Sequence, residues 1–137
     1  MEALNRKYNN FLKAYKALDK SFDILKKLKP ELSKDEYAVF MSGVIKHFEM
    51  AYETAWKFLK LYLEVKFAFE LTSPKAVFRA CYEYKILTVE VVNDLIKLSD
   101  DRNLTVHIYD QATAQEIFDR IEHHYKVLAE IIENITL

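Results

Sequence analysis

The chain of 137 residues contains a single glycine, a single cysteine and two prolines. Loops that cradle phosphate or a dinucleotide need several glycines for the backbone to approach the ligand, so Gly43 alone excludes Walker and Rossmann chemistry. Cys81 alone excludes an internal disulfide and every multi-cysteine metal site, and it fits a reducing compartment. So few turn-forming residues leave little means of building the tight turns of a sheet, and an all-α fold is expected. No run of eighteen apolar residues occurs and no apolar leader follows Met1, which predicts a chain that neither spans a membrane nor is secreted. A cytoplasmic globular protein is the expectation, with 51% apolar and 30% charged residues. The length suits one domain over residues 1–137.

What is present is helical periodicity. Leu4, Tyr8, Phe11, Tyr15, Leu18, Phe22 and Leu25 advance in steps of four and three, placing one apolar stripe on a first helix that Pro30 stops. Ser33-Lys-Asp-Glu36 has the form of a capping box and opens a long second helix. Its buried line is predicted to be Tyr37, Phe40, Val44, Phe48, Ala51, Ala55, Leu59 and Tyr62, with a bend near Gly43. Ser73-Pro74 reads as an N-cap and first-turn proline for a short third helix to about Tyr84. Thr88 caps a fourth helix carrying Val91, Val92, Leu95, Ile96 and Leu98. Thr113-Ala-Gln-Glu116 resembles another capping box, opening a fifth helix with Ile117, Ile121, Leu128, Ile132 and Ile135 inward. Five helices with short connections predict an antiparallel up-and-down bundle.

Charge is uneven although the net value is −1. Residues 1–29 hold eight Lys and Arg against three Asp and Glu, whereas residues 88–137 hold four against ten. Mutual attraction of the two end segments within the bundle is one reading, and attraction of the basic first helix to a polyanion such as RNA is the other.

Several chemistries fail on spacing. No histidine has a glutamate three residues upstream, so a di-iron bundle site is absent, and His-Glu-x-x-His zinc chemistry is missing as well. Asp119 and His123 supply at most two ligands, and His123 and His124 point about 100° apart on a helix. No metal or other cofactor is expected. His47 reads as a hydrogen-bonded interior residue, Trp56, Phe58 and Tyr62 as core, and Cys81 as buried rather than nucleophilic, since no histidine adjoins it.

One stretch departs from this pattern. Residues 100–110, DDRNLTVHIYD, place Arg102, Asn103, His107 and Tyr109 within eight positions. On one straight helix Arg102 and His107 lie about 140° and 7.5 Å apart, so a single chain aims them at different places. Two copies meeting across a two-fold axis bring both groups to a shared cleft. Arg102 and Tyr109 fall within about 20° of one stripe. A guanidinium following Leu95 and Leu98 wants an anion, either a ligand or an intrachain carboxylate: Asp100, Asp101 or an N-terminal carboxylate of a neighbouring helix.

The segments FEMAYETAWKFLKLYLE (48–64), SPKAVFRACYEYKIL (73–87) and DDRNLTVHIYDQATAQEIFDRI (100–121) together resemble the nucleotidyltransferase substrate-binding protein family, part of the HEPN superfamily and related to the HepT toxins. The resemblance implies a HEPN-like bundle that forms homodimers beside a small, separately encoded nucleotidyltransferase in a two-component or toxin–antitoxin system. This chain lacks the Gly-Ser and paired-aspartate signature of that enzyme, so nucleotidyl transfer belongs to the partner. The resemblance also implies two roles for Arg102-Asn103-Leu-Thr-Val-His107. It is a binding groove for substrate or partner, formed by Arg102, Asn103, His107 and Tyr109, or the active site of a metal-independent endoribonuclease toxin. In the second role RNA is a partner, His107 is the acid or base, Arg102 steadies charge on phosphate, and the transferase silences the enzyme by adenylylating Tyr109.

Overall fold

The computed structural model describes residues 1–68, 70–108 and 110–137. Five helices follow in order: α1 (Glu2–Leu28), α2 (Lys34–Phe67), α3 (Pro74–Glu83), α4 (Val89–Leu104) and α5 (Gln111–Asn134). Single 3₁₀ turns occupy Lys29–Glu31 and Thr105–His107, and no strand is present among the described residues. The architecture is the expected antiparallel bundle. No helix is long and apolar enough to cross a membrane.

Local chemistry sets the helix boundaries. Pro30 lies in the 3₁₀ turn that ends α1. At the start of α2, Ser33 Oγ accepts from Glu36 N at 3.1 Å while Ser33 N donates to Glu36 Oε1 at 2.9 Å, a complete capping box. Ser73 and Thr88 cap α3 and α4 through Ala76 N and Val91 N. The fifth helix differs from expectation: its cap is Asp110, whose Oδ1 accepts from Thr113 N at 2.7 Å, so Thr113 is already inside the first turn. A carboxylate there also complements the positive end of the helix, and the Thr113 hydrogen bond holds the Asp110 carboxyl below its ordinary pKa.

α2 organises the bundle because it packs against all four other helices. Phe48, Ala51, Ala55, Phe58 and Leu59 are fully enclosed on it, and Phe58 stacks against Phe11 of α1 with centroids 6.3 Å apart. The predicted line errs at Phe40, which is 40% exposed; Met41 and Ile45 join the predicted Val44 on the inward face instead. Helical structure is continuous through Gly43, and a Cβ added there meets nothing within 4 Å.

Glycine is thus used where the backbone does not need it, while Ala68, which closes α2, and Lys85 occupy left-handed conformations at φ 56° and 60°. Gly43→Ala should therefore stabilise the protein by about 0.5–1 kcal/mol through helix propensity. Ala68→Gly should gain a similar amount, about 0.5–1 kcal/mol, by relieving the Cβ clash of the left-handed region. Urea unfolding checks both, and a loss of stability in either contradicts the assignment of that backbone.

Candidate functional site

The Arg102–His107 stretch is where α4 ends. Helical geometry stops at Leu104 and the 3₁₀ turn Thr105–His107 follows, so angles reckoned on one straight helix do not extend from Arg102 to His107. Tyr109, predicted to share a stripe with Arg102, lies outside the described residues. Asn103 and His107 are exposed, together with Leu104 (45%) and Val106 (61%). No hydrogen bond or ion pair joins Arg102 to His107 among the described residues; the structure turns Arg102 toward α2 instead.

There its guanidinium meets two carboxylates one helical turn apart. Nη1 is 3.4 Å from Glu49 Oε2 and Nη2 is 3.9 Å from Glu53 Oε1, and the Arg102 side chain is 21% exposed. Thr105 Oγ1 ties the group together. It accepts from Arg102 Nη1 at 3.3 Å and lies 3.0 Å from Glu49 Oε2 and 2.7 Å from the Arg102 carbonyl, either of which can receive its single hydroxyl proton. Trp56 Nε1 donates to the far side of Glu53 at 3.2 Å. The anions Arg102 meets are thus carboxylates from the middle of α2, and neither Asp100, Asp101 nor an acid at the N-terminus of a neighbouring helix.

Asp101, one residue earlier, is drawn the opposite way. Its carboxylate accepts from Arg120 Nε at 2.7 Å and Arg120 Nη2 at 2.8 Å, a bidentate fork, and it lies 2.6 Å from His124 Nε2. His124 is buried and stacks on Phe48 at 5.5 Å. Burial holds the His124 pKa below its ordinary value against the opposing pull of Asp101. The ring is therefore neutral near pH 7 and donates from Nε2 to Asp101. Its Nδ1 is buried without a partner. Burial pushes the Asp101 carboxyl up, but hydrogen bonds from Arg120 and His124 outweigh it, and the net shift is downward.

Sequence reasoning missed this triad, although Ile117, Ile121, His124, Leu128 and Ile131 form one inward line at helical spacing that pointed to His124. A cleft of about 530 Å³ lies beside it between α4 and α5, lined by both histidines of α5 and by Asp94, Lys97 and Asp119. In the cleft His123 Nε2 is 3.6 Å from Asp94 Oδ2. No group of three or more His, Cys, Asp or Glu placed to hold a metal occurs among the described residues.

The other singled-out residues divide. Phe58 is core, and Trp56 and Tyr62 pack against it partly buried. Cys81 is enclosed and burial pushes its thiol up to about 12, which leaves no thiolate for nucleophilic chemistry. His47 is only half-buried, and its Nδ1 lacks the hydrogen bond expected of it.

Two outcomes follow for the triad. Asp101→Asn should cost about 2 kcal/mol, less than a fully enclosed ion pair because Arg120 is half exposed and rehydrates. A histidine with a depressed folded pKa stabilises the protein above its unfolded value near 6.5, and that contribution disappears as pH falls below it. Urea unfolding free energy should accordingly decline as pH falls below about 6.5 in the wild type. The decline should be shallower in His124→Gln; equal slopes overturn the assignment of a neutral, buried His124.

Comparison with known proteins places these features. Residues 6–135 match the family described as nucleotidyltransferase substrate binding protein like. A crystal structure of a Thermus thermophilus protein is similar at 32% identity and a TM-score of 0.68, covering 85% of this chain and 96% of that one. HI0074 of Haemophilus influenzae, a substrate binding domain of a nucleotidyltransferase, shares the fold at a TM-score of 0.78 and 19% identity, over 92% of this chain and 96% of its own. A tri-AMPylated HEPN toxin of Shewanella oneidensis, solved in complex with its MNT antitoxin, shares it at 0.75 and 14% identity, over 97% and 96%. No curated protein sequence matches the chain. With the family match running over nearly the whole bundle, α4 terminus included, this chain belongs to the nucleotidyltransferase substrate-binding protein family.

Proposed function

We propose that the chain is the substrate-binding or partner subunit of a separately encoded minimal nucleotidyltransferase, acting as a homodimer through the end of α4. The observation that carries this reading is the surface around the 3₁₀ turn. Asn103 and His107 stand exposed among Leu104 and Val106, and Met50, next to Glu49 on α2, is 48% exposed. Polar groups set among uncovered apolar side chains are what an interface needs: area to bury and a few groups to fix orientation. The Haemophilus protein is a substrate binding domain of a nucleotidyltransferase, and the Shewanella toxin is bound to an antitoxin, which supports a partner of that class.

A metal-independent endoribonuclease is the second reading, favoured by His107 being exposed one turn beyond Arg102. Against it stands the engagement of Arg102 by Glu49 and Glu53, since an RNA phosphate has to displace two carboxylates to reach the guanidinium. Adenylylation of Tyr109 belongs to this second reading; the AMPylated state of the Shewanella toxin supports it.

The experiment co-purifies the chain with the transferase encoded beside it and measures mass by light scattering. It then incubates wild type and His107→Ala with labelled RNA in EDTA. A dimer that binds the transferase, converts to monomer in Val106→Asp and leaves RNA intact is the expected result. Cleavage by the wild type that is lost in His107→Ala overturns the binding reading in favour of the nuclease.

A further inference from the structure

The basic charge of α1 is not consumed by the fold. If attraction to the acidic α5 explained it, a series of ion pairs should join the two helices, yet among the described residues Lys26–Glu122 is the single one that does, and Lys27–Asp23 lies within α1 itself. Arg6, Lys13, Lys16 and Lys20 are exposed and enter none of the ion pairs among those residues.

Their placement is ordered. At about 100° per residue the four fall within an arc of about 80°, opposite the buried line Leu4, Phe11, Leu18 and Phe22, and span about 21 Å of helix. Between Arg6 and Lys20 no acid enters that arc; Asp19 lies well outside it. Asn9 adds hydrogen-bonding groups within the arc and Asn10 beside it, and a shallow depression of about 440 Å³ opens at Glu2, Asn5, Arg6, Asn9, Asn10 and Lys13, where Glu2, one turn before Arg6, is the single acid against two cations.

We infer that this face of α1 docks a single-stranded polynucleotide through its phosphates. A protein partner fits less well, because protein interfaces need an apolar anchor at their centre. The large apolar residues exposed on or beside α1 are Met1 and Ile24, both beyond the span from Arg6 to Lys20. Phosphate recognition needs no such anchor. It requires mobile cations in a row, whose binding releases condensed counterions, and it reads no base sequence. The surface is separate from the α4 terminus, so it stands whether or not the transferase partnership does.

Fluorescence anisotropy with a labelled oligouridylate and the matching deoxyoligonucleotide tests it at several salt concentrations. Four phosphate contacts predict a log–log salt slope of about −2.8, for RNA and DNA alike. Lys13→Glu with Lys20→Glu should weaken binding by about tenfold or more, and the milder Lys13→Gln with Lys20→Gln should do so to a lesser degree. Arg79→Glu with Lys97→Glu changes net charge equally on α3 and α4 and should leave binding within about twofold. Circular dichroism confirms that each variant is folded. No binding at low salt, equal weakening by the two reversal pairs, or loss of a protein complex in place of polynucleotide binding overturns the proposal.

Discussion

Two adjacent residues of opposite charge hold the end of α4 from both sides. Asp101 is bound by Arg120 and His124 of α5, and Arg102 faces Glu49 and Glu53 of α2. Neighbours in sequence project about 100° apart on a helix, so one turn of α4 reaches both flanking helices at once. The exposed turn Thr105–His107 begins directly after this clamp, and Thr105 is part of it. The position of Asn103 and His107 on the surface therefore depends on charge pairing beneath them rather than on packing of their own.

The clamp is electrostatic where a core contact would be more stabilising. Buried or half-buried ion pairs recover little beyond their desolvation cost and are often outdone by apolar replacements. What they supply is geometry: a bidentate guanidinium fork accepts one orientation, whereas an apolar contact accepts several. The apolar work is done elsewhere, by α2 packed against four helices and by the enclosed rings of Phe11, Phe48, Phe58 and Phe78. This division fits the proposal that the working surface sits at the end of α4. The core supplies stability, and the charged layer decides what the surface presents.

Much of the fold was legible from local chemistry. Ser33, Ser73 and Thr88 cap the helices assigned to them, and the four-and-three spacing from Leu4 to Leu25 marks the buried face of α1. The errors share one cause. Thr113 and Asp110 both offer a side-chain oxygen near the start of α5, and spacing alone favours the Thr-x-x-Glu pattern, but the backbone turns extended at Asp110. Phe40 reads as core because it is aromatic and in phase, yet it is exposed while its neighbour Met41 is enclosed. At the candidate site the stretch itself was recognisable and its wiring was not.

Composition and periodicity by themselves determined that the chain is all-α, where its helices lie and which short segment carries polar groups out of pattern. These are consequences of contacts within a few residues. Only the tertiary structure decided which charges meet, because the partners are distant in sequence: Asp101 lies 19 and 23 residues from Arg120 and His124, and Thr105 lies 56 from Glu49. An exposed lysine and an engaged arginine look alike in a sequence, and their difference arises when one helix is laid against another and water is removed between them.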